Sequence, residues 1–174
     1  MTGKQFLNGV THSREDIVQW LLTLLEETGA RYCVIGGLAV NAYAEPVVSL
    51  DLDIVVIADR VEALRAAALA RGMKVETFEH SLNLSSAASD LRIQVQTDPR
   101  YQDFLSRAEK RQVLGYPMIV ASLRDVLHGK LWACADKSRR ASKRQKDLAD
   151  ILRLVEAHPD IEGDLPAWVI KRTY

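Results

Sequence analysis

Apolar residues recur along this chain with two different periods. Ile17, Trp20, Leu21, Leu24 and Leu25 fall at helical spacing, which predicts an amphipathic helix over residues 13–28. Ser13 is placed to cap it, with Asp16 three residues on, and Gly29 to stop it. An apolar strand is predicted over residues 32–35, followed by the Gly36-Gly37 turn, a short helix over 38–44 and Pro46 just beyond its end. Residues 52–57 read as an apolar run after the first aspartate, Asp51, the pattern of a central strand. Asp59 is placed to cap a helix over 61–71 that Gly72 ends. Weaker strands are predicted over 73–78 and 82–85. Leu91, Ile93 and Val95 alternate with Arg92, Gln94 and Gln96, which reads as a half-buried strand over 91–97. Asp98-Pro99 predicts a helix start continuing to about residue 110, and residues 118–121 predict a last short strand. After Ser122 the pattern is helical as far as His158-Pro159, broken near 138–142, and Pro166 stands near the start of a terminal turn over 164–174. An α/β core over residues 1–121 with a helical region over 122–174 packed on it, folding as one unit, is the expected organisation.

Bulk properties narrow the class without choosing a function. The chain has 174 residues, 48% of them hydrophobic and 26% charged, the composition of an ordinary globular domain. Its formal net charge is +0, so no global field draws it to nucleic acid or to a membrane. Cys33 and Cys134, the only cysteines, both sit in apolar patterns and read as small core residues. The N-terminal eleven residues are polar rather than signal-like, and no apolar run reaches membrane-spanning length. A cytoplasmic protein with no membrane partner is expected. His12, His80, His128 and His158 lack metal-ligand spacing, and neither an internal repeat nor a Walker loop is present.

The informative chemistry lies between Tyr32 and Ile57. Asp51 and Asp53 stand at i and i+2 at the head of a strand, so their side chains share one face. Two carboxylates side by side repel unless a cation sits between them, and a hard divalent ion suits such an oxygen pair. Gly36 and Gly37 end the preceding strand, where a glycine turn lets backbone approach a phosphate closely. If the two strands pair, the turn and the carboxylates share one end of the sheet. Ser49 has two readings, a phosphate-facing hydroxyl or a turn stabiliser. The bland alternatives are an ordinary turn for the glycines and a solvated strand end for the aspartates.

These residues resemble a known family. GGLAVNAY followed by SLDLDIVV is similar to the minimal signature of the nucleotidyltransferase superfamily: a glycine pair, a short helix and Asp-x-Asp opening the next strand. The resemblance to the AbiEii-like branch extends further, through PMIVASLRDVLHGKLWA and KRQKDLADILRLVE, and covers about residues 32–156. It implies an α/β fold in the α+β sense, a mixed sheet with flanking helices and a C-terminal helical hairpin. It also implies Mg2+ or Mn2+ held by Asp51 and Asp53, an NTP as donor, and transfer of a nucleoside monophosphate to a hydroxyl of an RNA, protein or small molecule. In such chemistry two ions about 3.5–4 Å apart clamp the attacking and leaving oxygens. Members of the branch include toxins of type IV toxin–antitoxin or phage-defence systems, so a cognate antitoxin or toxin is an implied partner. The alternative is a nucleotide- or partner-binding module of the same fold with little turnover.

The chain departs from the pattern twice. Active members carry a third carboxylate on a later strand, where this chain offers Gln94. An amide oxygen can face a metal but cannot act as a base. Asp90 and Asp98 flank that strand and substitute if the register differs. Val47-Val48 stands where many branch members have an arginine. In the tail, Lys130 reads either as a rim lysine on an apolar stripe or, by resemblance, as a phosphate-facing one. Lys137, Arg139, Arg140, Lys143, Arg144 and Lys146 form a basic cluster that faces solvent or the cleft. Asp147 and Asp150, at i and i+3 on one helical face, read either as ion-pair partners of Lys143, Lys146 or Arg153 or, by resemblance, as a nucleotide-pocket residue beside Lys146 (Asp147) and an anchor of the helix to the core (Asp150).

Overall fold

A computed structural model describes residues 1–173. Its seven strands form one mixed sheet in the order β3-β4-β5-β2-β1-β7-β6. Strand β1 (Tyr32–Ile35) runs antiparallel to β2 (Asp51–Val56), which runs parallel to β5 (Ser89–Gln96). Strands β3 (Lys74–Thr77) and β4 (Ser81–Ser86) extend the sheet beyond β5 as antiparallel neighbours. On the other side β7 (Tyr116–Val120) pairs in parallel with β1 and carries β6 (Glu109–Val113) as the edge.

The register sorts side chains onto two faces. Val34, Leu52, Ile54, Leu82, Leu84, Ile93 and Val95 share one face and are all buried. Helices α2 (Ile17–Glu27) and α4 (Val61–Ala70) touch each other and add Leu21, Leu24, Leu25 and Leu64 to the same core cluster. The other face is polar where β2 meets β5: Asp51 lies beside Arg92 and Asp53 beside Gln94. The helical hairpin of α6 (Leu123–Ala135) and α7 (Ala141–Ala157) stands over this side, in contact with α3 (Gly36–Val40). A last helix, α8 (Ala167–Thr173), follows a 3-10 turn over Pro159–Asp164.

Several boundaries differ from expectation, each for a local reason. Asp16, not Ser13, caps α2: its carboxylate accepts from Gln19 N at 3.0 Å. The same oxygen takes the hydroxyl proton of the fully buried Tyr116 at 2.8 Å. Ser13 bonds Ser89 instead, at 2.6 Å. Asp59 lies within a 3-10 turn before α4 and makes no side-chain cap. The polar N-terminal stretch forms a further helix, α1 (Gly3–Val10), closed by a capping box between Thr2 and Gln5. It fits because Gly3 lies against the backbone of Leu114, where a Cβ would stand 2.6 Å from the carbonyl.

The helix expected to run to residue 110 stops early. A 3-10 turn over Pro99–Tyr101 and the short α5 (Phe104–Arg107) occupy its first half. Residues beyond them turn into β6, closed onto β7 by the two-residue loop Leu114-Gly115 with φ of 49° and 84°. Positive φ at both loop positions is the hairpin geometry that matches strand twist. The charged run EKRQV protects an edge strand from pairing with other chains, and that same charge hides the strand's alternation.

Candidate active site

The glycine turn and the Asp-x-Asp strand meet at one end of the sheet. Ile35, the last residue of β1, pairs with Asp53, so Gly36 sits directly over that carboxylate. Gly36 has φ +69°, and a Cβ there would lie 2.3 Å from Asp53 Oδ2. Glycine is therefore needed twice over, for the left-handed backbone and for the close approach. Gly37 faces Ser49, whose Oγ would lie 3.5 Å from an added Cβ.

Ser49 bonds the backbone within its own turn. Its hydroxyl donates to Asp51 O at 3.1 Å and accepts from Asp51 N at 3.3 Å, and the residue is buried. The loop before it is pinned by Asn41, whose side chain bonds both the N–H and the carbonyl of Val47 at 2.9 and 2.8 Å.

The two aspartates differ sharply. Asp51 is doubly paired, Oδ1 with Arg92 Nε at 2.7 Å and Oδ2 with Lys143 Nζ at 3.1 Å. The Asp53 carboxylate is half-buried and, among the described residues, has no hydrogen-bond or ion-pair partner. Burial, with Asp51 adding repulsion, pushes its pKa up to about 6 against the pull of Lys130, Arg139 and Lys143. An unpaired, desolvated carboxylate aimed into a cleft is a feature that folding alone does not favour.

Asp53 lines a cavity of about 100 Å³ together with Gly36, Gln94, Lys130, Arg139 and Asp147. Gln94 lies beside Asp53 by strand register. Asp90 and Asp98, the alternative third carboxylates, are not in this lining. Asp90 bonds His12 at 2.7 Å. Asp98 is held by the Arg100 guanidinium at 3.0 and 2.9 Å, which keeps it below the usual carboxylate range.

The hairpin wall is built on a buried charge network. Lys130 Nζ lies 3.0 Å from Asp147 and 2.7 Å from Asp150, all three nearly excluded from solvent. Arg139 pairs with Asp147 at 2.7 Å, and Arg153 with Asp150 at 2.7 Å. Burial alone would lower the Lys130 pKa, but Asp150 and Asp147 together hold it above its ordinary value. Lys130 is thus an internal ion-pair partner whose far side borders the cavity. Arg153 also reaches Asn41 and the Glu45 carbonyl, tying α7 to the loop before β2.

Lys146 is not brought to the cleft: it is exposed and makes no ion pair among the described residues. Helix phase explains this. Lys143, Asp147 and Asp150 are spaced by four and three residues and share a face, while Lys146 is rotated about 100° from Asp147. Lys143 is the lysine that reaches Asp51. Asp125 was not singled out by the sequence. It lines the same cavity, is buried at the first turn of α6, and takes both hydrogen bonds of Arg107 at 2.9 Å. Cys33 and Cys134 are buried; burial pushes the Cys33 thiol up to about 12 and raises that of Cys134, so neither is poised as a nucleophile.

Asp51 and Asp53 supply carboxylate oxygens that would suit a divalent ion. Two carboxylates completed by substrate phosphates and water suit Mg2+. No cluster of three or more acidic, histidine or cysteine side chains forms a ready metal cage among the described residues. Gln94, an amide, is the residue that the register sets beside Asp53. No helix among the described residues is long and apolar enough to cross a membrane.

No family model matches this chain, and no curated protein is similar to it in sequence. Solved structures do resemble it. The antibiotic-resistance factor ANT(2")-Ia in complex with adenylyl-2"-tobramycin superposes with TM-score 0.61 at 15% identity, over 91% of this chain and 97% of that one. The lincomycin-bound lincosamide antibiotic adenylyltransferase LnuA gives 0.58 at 12% identity, over 82% and 99%. An antigenic nucleotidyltransferase-like protein from Paracoccidioides brasiliensis gives 0.52 at 15%, over 84% and 89%. With its mixed seven-stranded sheet and flanking helices, the chain has the nucleotidyltransferase fold.

Proposed function

We propose that this protein is a divalent-ion-dependent nucleotidyltransferase that moves a nucleoside monophosphate from an NTP to a hydroxyl of an RNA, protein or small-molecule acceptor. The observation that carries the proposal is the Asp53 carboxylate, unpartnered among the described residues and half-buried against Gly36 in a cleft bordered by Lys130 and Arg139. Asp51 and Asp53 would hold Mg2+ or Mn2+, which supplies charge neutralisation on the triphosphate. The N–H groups of Gly36 and Gly37 receive phosphate oxygens, a contact that side chains at those positions would block. The acceptor oxygen attacks the α-phosphorus, the bond to the bridging oxygen breaks, and pyrophosphate leaves. Gln94 cannot take the acceptor's proton, so the proton passes to water, and transfer is slow compared with an enzyme that has a third carboxylate.

Antibiotic adenylyltransferases among the structural neighbours make a small-molecule acceptor one candidate. The tail resemblance to the AbiEii-like branch supports a toxin or phage-defence role with a cognate antitoxin. A second reading, a nucleotide- or partner-binding module with little turnover, is favoured by one observation, the amide of Gln94 beside Asp53.

The test is Mg2+-dependent incorporation of label from α-labelled NTPs into RNA, protein or antibiotic acceptors, comparing wild type with Asp53→Asn. Incorporation that disappears in the variant supports transfer. Incorporation that survives it rules out this site, and nucleotide binding without transfer establishes the module.

A further inference from the structure

Two cations share the carboxylate of Asp51, two residues before Asp53 on β2. Arg92 approaches Asp51 Oδ1 from β5, and Lys143 approaches Oδ2 from the first turn of α7. The group therefore carries a net charge of +1 with Asp51 ionised. Lys130 and Arg139 are different, because Asp147 and Asp150 already bind them inside a closed network.

Arg92 owes its place to strand register, which sets it beside Asp51 just as Gln94 is set beside Asp53. These are the two positions of β5 that face the aspartate pair. A carboxylate there would complete a second ion's ligands; a guanidinium there repels that ion. The Arg92 side chain is 63% exposed and that of Lys143 31% exposed, so both have room to leave Asp51 for a ligand. A guanidinium fork matches phosphate geometry in two parallel bonds, and an ammonium serves as a point charge beside it.

We infer that Arg92 and Lys143 replace the second divalent ion of this site: they neutralise Asp51 in the ligand-free protein and move onto the polyphosphate of a nucleotide that arrives with a single ion. The inference rests on the nucleotide reading above and adds to it the number of ions and the residues that take the charge. It also accounts for the amide at position 94, since a built-in cation needs no third carboxylate.

The experiment counts ions. Non-hydrolysable α,β-methylene analogues of ATP, GTP, CTP and UTP are titrated into the full chain with Mn2+, and bound Mn2+ is measured by electron paramagnetic resonance. One Mn2+ per nucleotide-bound chain is expected. Arg92→Gln and Lys143→Gln should each weaken analogue binding by about tenfold or more, the scale of a lost charge-assisted hydrogen bond. The same variants should tighten binding of Mn2+ alone, because Asp51 is then less occupied. A merely structural pair would not move the two affinities in opposite directions. Two Mn2+ per complex, or analogue affinity unchanged in both variants, overturns the inference and leaves the nucleotide reading standing. Failure of the wild type to bind any analogue overturns the nucleotide reading, and the inference with it.

Discussion

Replacing Asp53 by asparagine should make the protein more stable, and mainly above acidic pH. The Asp53 carboxyl titrates at about 6 in the folded chain against an ordinary value of 3.8. Between those values the folded state holds a proton that the unfolded state has released. Stability therefore falls as pH rises through that window, and the full cost remains above it. The gap between the two values corresponds to about 3 kcal/mol. An asparagine side chain is nearly the same size and carries no charge, so Asp53→Asn should recover about 3 kcal/mol at pH 7 and only about 0.5 kcal/mol at pH 4. Urea unfolding of both proteins at the two pH values measures this directly, because the other titrating groups cancel in the comparison. An equal difference at both pH values, or a variant less stable at pH 7, would refute the argument that this carboxylate is held in the cleft at the fold's expense.

Three further outcomes follow from particular contacts. Lys130→Met leaves Asp147 and Asp150 buried without their shared cation, and should destabilise the chain by about 3–5 kcal/mol in chemical unfolding. Gly36→Ala forces a side chain into φ +69° and onto Asp53 Oδ2; it should cost about 1–2 kcal/mol and abolish nucleotide-dependent Mn2+ binding, which calorimetry reads. Gln94→Glu supplies a third carboxylate beside Asp53 and should tighten Mn2+ binding and raise transfer from labelled NTP; no change in either would mean that β5 does not face the ion.

Elements whose hydrophobic period is complete were legible in the sequence, and those whose signal is carried by charge or by turns were not. Strand β2, apolar after its aspartates, and the alternating β5 could be read because one or both faces are buried. Strand β6 could not, because an exposed edge is written in charged residues, and its hairpin depends on Leu114 adopting a left-handed backbone that leucine rarely takes. Helix α1 has only 8 residues and buries only Leu7, too short a window for its period to stand out in the sequence. In the site, the nearness of Gly36 to Asp53 followed if the two strands paired, and that of Gln94 to Asp53 followed only from the family resemblance. The pairing of Asp51 with Lys143 could not, since it depends on how far α7 is rotated over the sheet. Helix phase alone would have separated Lys143 from Lys146. Asp125 left no signal beyond its place after an N-cap serine, and only the fold brings Arg107 to it.

The central claim is that Asp51 and Asp53 hold a divalent ion against a nucleotide at the Gly36-Gly37 turn. Crystals grown with Mn2+ and a non-hydrolysable NTP test it most directly, through anomalous scattering. The account predicts one manganese peak between the two aspartates and a phosphate, with phosphate oxygens on the Gly36 and Gly37 amides. A nucleotide bound elsewhere, or a manganese peak away from both aspartates, would contradict it.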